Sequence, residues 1–379
     1  MSLGKHWRKS FDIPDDVAYF NCAYAGPLMR AARKAAKKAI NRHREPWTFD
    51  NGVWFEESEE RRALFAQLMG CDIEGVALVP SASYGFAVAA KNIALKNGQR
   101  VLVLENEFPS GINTWRRKCD ESEAELFIVT RSEGQTWTDA LIAAIDERAG
   151  VVSVPNVHWI DGALVELVQI AERARAVGAK LVLDTSQSGG VMPIHFAAVR
   201  PDYLINVGYK WLFHPYATSY LYVGENGRDG VPLEENWQQR LGSEDFTRLA
   251  EFEPRYRPGA RRFDMGERSN WDIAPAANAA LKHLIKWRDG GMIDALRERT
   301  EAIAALADKY GIPVSTRERG PHLMGLALNP GEAKEAAPTF KAANVIVSFR
   351  GDIIRLAPHL YNTQDDIGRL ADVLAQLRR

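Results

Sequence analysis

Two neighbouring stretches, KLVLDTSQSGG at residues 180–190 and YLINVGYKW at residues 203–211, decide how this chain folds. Each starts as an apolar, β-branched run and leads into a charged side chain, Asp184 in the first and Lys210 in the second. Placing a carboxylate or an ammonium at the end of a buried strand is costly unless something compensates it. Read alone, Asp184 is explained as a helix N-cap ahead of Thr185 and Ser186, and Lys210 as a solvated loop residue. Their occurrence at successive strand ends, 26 residues apart, weakens both of those readings.

Working outward, continuous apolar runs also occupy residues 76–79, 101–105, 126–129, 151–154 and 218–223. Strands without in/out alternation are buried on both faces. Helical patterns lie between them at 84–96, 138–148 and 164–177. In the last, Leu164, Leu167, Val168, Ala171 and Ala174 form an apolar stripe that Gly178 ends. Strand–helix alternation predicts an α/β fold: a mostly parallel seven-stranded sheet with helices on both faces. Ligands of such sheets sit beyond the carboxyl ends of the strands. After residue 275 the pattern changes to helices at 275–286 and 291–310, strands at 323–328, 345–348 and 353–356, and a helix at 364–377. The expected division is a large domain at 20–275 and a smaller α+β domain at 276–379, with residues 1–19 packing against the smaller one.

At 379 residues the chain exceeds one ordinary core, in keeping with two domains. Lys+Arg total 48 and Asp+Glu 49, so neither nucleic acid nor an acidic membrane is expected as a partner. Cys22, Cys71 and Cys119 are scattered, which suggests no metal site and no disulfide framework. A reducing, cytoplasmic setting is expected. The N-terminus has no apolar targeting core, and no long apolar run follows, so neither export nor membrane insertion is expected.

The company of Lys210, with Tyr209, Trp211, Leu212 and Phe213 around it, desolvates the amine. Desolvation lowers an amine pKa and favours a Schiff base with a carbonyl. A lysine that holds an aldehyde and an acid that keeps a pyridine nitrogen protonated are the two needs of pyridoxal 5′-phosphate (PLP). Ser81, Ala82 and Ser83 follow a strand and open a helix, a place suited to a phosphate dianion.

From Tyr19 onward an ordered set of motifs resembles one family. They are YFNCAYAGPL (19–28), VPSASYGF (79–86), ENEFPSGINTW (105–115), VPNVHWIDG (154–162), DTSQSGG (184–190), GYKW (208–211) and IIRLAPHLYNT (353–363). The last is the most specific. Together they resemble the class V aminotransferase group of fold-type I PLP enzymes. That group includes aminotransferases, cysteine desulfurases, kynureninase-like lyases and isopenicillin-N-epimerase-like proteins.

The resemblance implies Lys210 and Asp184 as catalytic residues and Ser81, Ala82 and Ser83 as the phosphate site. It places Phe108 where the family stacks an aromatic ring, often histidine, on the cofactor; phenylalanine stacks but exchanges no proton. It assigns Asn156 and Gln187 to the phenolic oxygen of PLP, and puts Tyr209 beside the phosphate. Arg355 becomes a bidentate clamp on a substrate α-carboxylate. Tyr24 and Ala23 would line the substrate pocket, with His158 beside the substrate. A homodimer, an amino acid substrate and a 2-oxo acid are implied as partners.

The basic stretch RYRPGARRFDMGERSN contains Arg255, Arg257, Arg261, Arg262 and Arg268. Such runs are usually solvated faces, but the family's matching region tends to approach the partner subunit's site. One of these arginines is a candidate for a second substrate carboxylate. Gly266–Glu267 replaces the Gly-Thr of many members, which leaves open whether Ser269 or Asn270 serves the partner's phosphate. Desulfurases of the family carry a nucleophilic cysteine on a loop ahead of the substrate arginine, and VSFRGD at 347–352 has none. An aminotransferase is the first expectation; an epimerase or racemase, or a Cβ-lyase, is the second.

Overall fold

In the computed structural model, residues 5–378 are described. Residues 1–4 and 379, which fall in the expected N-terminal packing segment and the small domain, lie outside the described residues. A short helix at Lys5–Arg8 precedes the first strand, the two-residue β1 (Ala18–Tyr19). Then come β2 (Val76–Val79), β3 (Arg100–Leu104), β4 (Glu125–Val129), β5 (Ala149–Pro155), β6 (Lys180–Asp184), β7 (Tyr203–Val207) and β8 (Ser219–Val223). Four short strands close the chain: β9 (Met324–Ala327), β10 (Val345–Ile346), β11 (Ser348–Arg350) and β12 (Ile353–Leu356).

The seven central strands form one sheet in the order β2-β8-β7-β6-β5-β3-β4. Only the pairings of β8, with β2 and with β7, are antiparallel. Alternate residues of each strand enter opposite cores. Leu102 and Leu104 of β3 pack on one side and Val101 and Val103 on the other; in β6, Leu181 and Leu183 face away from Val182. Helices Ala82–Asn92 and Pro109–Ser122 cover one face through Phe86, Val88, Trp115 and Cys119. Helices Glu57–Met69, Trp137–Ala144, Leu167–Ala176 and Ala274–Asp289 cover the other. This two-sided burial is why the strands read as unbroken apolar runs.

A third core gathers Ile303, Leu326, Phe340, Ile354, Leu356 and Leu370 with Ala18 and Phe20 of the N-terminal segment. There β1 pairs in parallel with β10, Ala18 opposite Val345. The expected strand at 345–348 is two strands. It breaks at Val347, so that β10 pairs with β1 while β11 turns to pair with β12. The helix expected from Leu164 begins at Leu167, because Leu164 forms a bridge with Val157 instead. The helices Arg30–Arg42, Glu57–Met69, Pro109–Ser122 and Glu332–Ala342 had no assignment from periodicity.

Candidate active site

The carboxyl ends of β5, β6 and β7 and the start of helix Ala82–Asn92 bound a cavity of about 310 Å³. At one end Ser81 caps the helix, its Oγ accepting the Tyr84 N–H at 3.2 Å and lying 2.9 Å from Ser83 Oγ. The first-turn N–H groups of a helix have no intrahelical acceptor, so this end suits an anion. At the strand end opposite, Asp184 Oδ1 accepts the Ser186 N–H at 2.8 Å.

Lys210 lines the same cavity and is only 8% exposed. Burial pulls its amine down to about 8, against the opposing attraction of Asp184; Arg355 pushes it further down. Its Nζ is 5.5 Å from the centre of the Phe108 ring and 5.9 Å from that of Tyr209. Phe108 is 40% exposed, an unusual state for a phenylalanine, and its ring meets Trp159 edge-on at 5.5 Å. A flat aromatic face, a desolvated amine, a carboxylate and an anion-binding end border one cavity. They fit a planar pyridine aldehyde that carries a phosphate.

Gln187 lines the same cavity, with its amide held by protein: it donates to the Ala23 carbonyl at 3.2 Å and accepts from Trp211 Nε1 at 2.9 Å. Tyr209 lines it too, packed on Tyr216 at 4.9 Å. A second opening of about 360 Å³ joins Lys210 to Ala23, Tyr24 and Arg355. Arg355 is 1% exposed, and its Nη1 donates to the Trp159 carbonyl at 2.9 Å.

Two expected residues are absent from both linings. Asn156 turns its Oδ1 to the Ser188 hydroxyl, inside the turn that follows β6. His158 is buried, with Nδ1 3.2 Å from Asp161 Oδ1, and Asp161 is in turn paired with Arg131. Its neighbour Trp159 takes the place in the cleft.

The basic stretch is held by acids of the same chain. Each of its five arginines meets an acid: Arg255 pairs with Glu253, Arg257 with Glu244, Arg261 with Glu59 and Glu74, Arg262 with Asp229, and Arg268 with Glu59 and Asp264. Ser269 is buried, and its hydroxyl accepts from the Gln238 amide at 2.8 Å.

Glu107, Trp159, Tyr216 and Arg350 line the cavities without having been singled out in the sequence. Glu107 is the most telling. Its Oε1 accepts the Phe108 N–H at 2.7 Å, while Oε2 is buried with no partner, as is Nε2 of His158. Burial raises its carboxyl to about 7; the facing groups are His158 and Lys210, which lower it, and Asp184, which raises it. Its signal was the one that revealed Asp184, an acid just past a buried strand, blurred by Glu105 and Asn106 beside it.

The family model for class V aminotransferases matches residues 30–238, more than half of the chain; it spans the whole lining of the first cavity, whereas Ala23, Tyr24 and Arg355 of the second opening lie outside it. The chain belongs to the class V aminotransferase family. Its cofactor is accordingly pyridoxal 5′-phosphate, and its architecture is that of the fold-type I PLP enzymes. The uncharacterized aminotransferase YcbU of Bacillus subtilis (strain 168) is 26% identical over 355 residues, covering 91% of each chain. A kynureninase of Geobacillus thermodenitrificans is 23% identical over 399 residues, covering 98% of this chain and 91% of its own. Among solved structures, a cysteine desulfurase from Thermococcus onnurineus NA1 overlays with a TM-score of 0.86 at 18% identity, across 100% of this chain and 98% of that one. Identity at that level speaks for the fold alone. Among the described residues no helix is long and apolar enough to cross a membrane.

Proposed function

We propose that this class V enzyme is an aminotransferase that moves the amino group of an amino acid to a 2-oxo acid. PLP, when bound, supplies the electron sink that makes the substrate Cα–H bond labile. The residues of the chain do the rest. The start of helix Ala82–Asn92, with Ser81 and Ser83, holds the phosphate. Asp184 would hold the ring nitrogen protonated, Phe108 would offer an aromatic face for the ring to stack on, and Gln187 and Tyr209 would line its surroundings. Lys210 would hold the aldehyde carbon, and its amine would take up the proton from Cα. Arg355 receives the α-carboxylate.

The single observation that carries this reading is the amine of Lys210, desolvated to about 8 and flanked by Asp184 and the Phe108 ring. A base with that pKa is matched to proton transfer near neutral pH. A desulfurase route lacks its nucleophile. Among the described residues no cysteine lines either opening, and Cys22, whose Sγ lies 3.9 Å from the Lys210 carbonyl oxygen, is fully buried with its thiol pushed up by burial.

The expected homodimer is part of the same proposal; its check is sedimentation of the holoenzyme. The test of function is product analysis. Purified holoenzyme is incubated with single amino acids and a 2-oxo acid acceptor, and a new amino acid is expected in equal amount to the new 2-oxo acid. Free ammonia, cleavage between Cβ and Cγ, or inverted substrate without transfer would replace the aminotransferase by a lyase or an epimerase.

A further inference from the structure

Strands β11 and β12 form a hairpin in which Ser348 lies opposite Arg355 and Arg350 opposite Ile353. Alternate residues of a strand share a face, so Arg350 stands on the face of Ser348 and hence of Arg355. They are diagonal neighbours, with side-chain roots about 7 Å apart. Both line the opening that contains Lys210, Tyr24 and Trp159.

The hydrogen-bond and ring partners of these two guanidinium groups are neutral. Arg355 donates to the Trp159 carbonyl at 2.9 Å and to Ser348 Oγ at 3.3 Å. Arg350 donates to the Phe349 carbonyl at 2.7 Å and sits over the Trp159 ring at 5.4 Å. The Nε atoms of both are buried and have no partner. Among the described residues no acid forms an ion pair with either, whereas all five arginines of the 255–268 stretch are paired. Burial lowers the pKa of both, and Arg350 lowers that of Arg355 further. Like charges on neighbouring positions of one sheet face repel. The opening therefore holds two guanidinium groups without an anion, and an α-carboxylate on Arg355 answers only one of them.

We propose that the substrate is a dicarboxylic amino acid, with its α-carboxylate on Arg355 and its side-chain carboxylate on Arg350. This rests on the reading above in which Arg355 takes the α-carboxylate. The 2-oxo acid of the same skeleton presents the same two carboxylates and fits the same pair. Guanidinium groups bind carboxylates through paired, charge-assisted hydrogen bonds, which are strongest where water is excluded.

The test uses ligands without an amino group, so that binding is read apart from turnover. Succinate and glutarate are titrated into the holoenzyme by calorimetry at fixed ionic strength, against the chain-matched monoacids butyrate and valerate. Each diacid is expected to bind about tenfold or more tighter than its monoacid, and Arg350→Gln to abolish that difference. Equal affinity of diacid and monoacid for the wild-type protein overturns the proposal without any variant. So does a diacid preference that survives Arg350→Gln. The proposed reaction fails separately: absence of amino-group transfer from any amino acid would leave the diacid preference standing, and transfer confined to monocarboxylic amino acids would sink only the second carboxylate.

Discussion

Gly26 lies so close to Lys210 that a Cβ on it would overlap the Lys210 carbonyl oxygen and stand 2.7 Å from the Phe213 ring. Its peptide nitrogen donates to the Tyr209 carbonyl at 2.8 Å. The N-terminal segment and the lysine loop are thereby locked together, with Tyr24 on one side and Lys210 on the other. Gly26→Ala is expected to cost about 1–3 kcal/mol through overpacking. Because the strain falls on the lysine loop, PLP affinity should drop about tenfold. Urea unfolding and absorbance titration with PLP check the two effects; an unaltered PLP affinity would show that the contact does not position Lys210.

Only an uncharged amine attacks an aldehyde. The Lys210 amine is lowered by burial from 10.5 to about 8. The rate at which apo protein takes up PLP should rise about tenfold per pH unit below that value and level off above it. Stopped-flow absorbance over roughly two pH units on either side of that value reads this directly. A rate still climbing at the alkaline end would mean that Lys210 is solvated.

Glu107 gives a pH signature of opposite sense. Its carboxyl is raised from 4.5 to about 7. Below the lower value it is protonated in both folded and unfolded chains. Between the two values the unfolded chain ionises while the folded one keeps its proton, so stability falls as pH rises. Integrated over that window the loss is roughly 3 kcal/mol. Glu107→Gln should remove this slope, so that the variant gains on the wild type as pH increases. Parallel denaturant titrations of the two apo proteins test it, and parallel curves with a constant offset would refute it.

Asp264 is buried and binds Arg62 through both oxygens, at 2.7 and 3.1 Å; Arg268 lies at 3.3 Å and the Leu78 N–H at 2.8 Å. Asp264→Ala would leave two buried guanidinium groups without their shared anion and is expected to cost about 3–5 kcal/mol. Arg255→Ala, which removes an exposed pair with Glu253, should leave stability unchanged. Urea midpoints for the two variants decide; a small loss at Asp264 would mean that Glu59 compensates both arginines alone.

The legible parts of the site were those where local company conflicts with charge. Asp184 and Lys210 stood out because each ends a run that is otherwise apolar, and Arg355 because it lies within the most specific motif. In loops no periodicity says which side chain faces inward, so His158 was expected where Trp159 stands. Arg350 was hidden because the strand was taken to end at Ser348; with β11 ending at Arg350, the hairpin register puts it on the face of Arg355.

By itself, the sequence determined the sheet, its two-sided burial and the pair of strand ends that border the cavity. These follow from hydrophobic runs and their punctuation, which are local properties of the chain. The tertiary structure decided which charges are answered and which are left open. Arg62 and Asp264 are 202 residues apart, and Arg355 meets Trp159 across 196. Charge compensation depends on such approaches between distant segments, and no local pattern records them. That is why the arginines of the 255–268 stretch, conspicuous in the sequence, are satisfied, while Arg350, inconspicuous, faces the cleft without an anion.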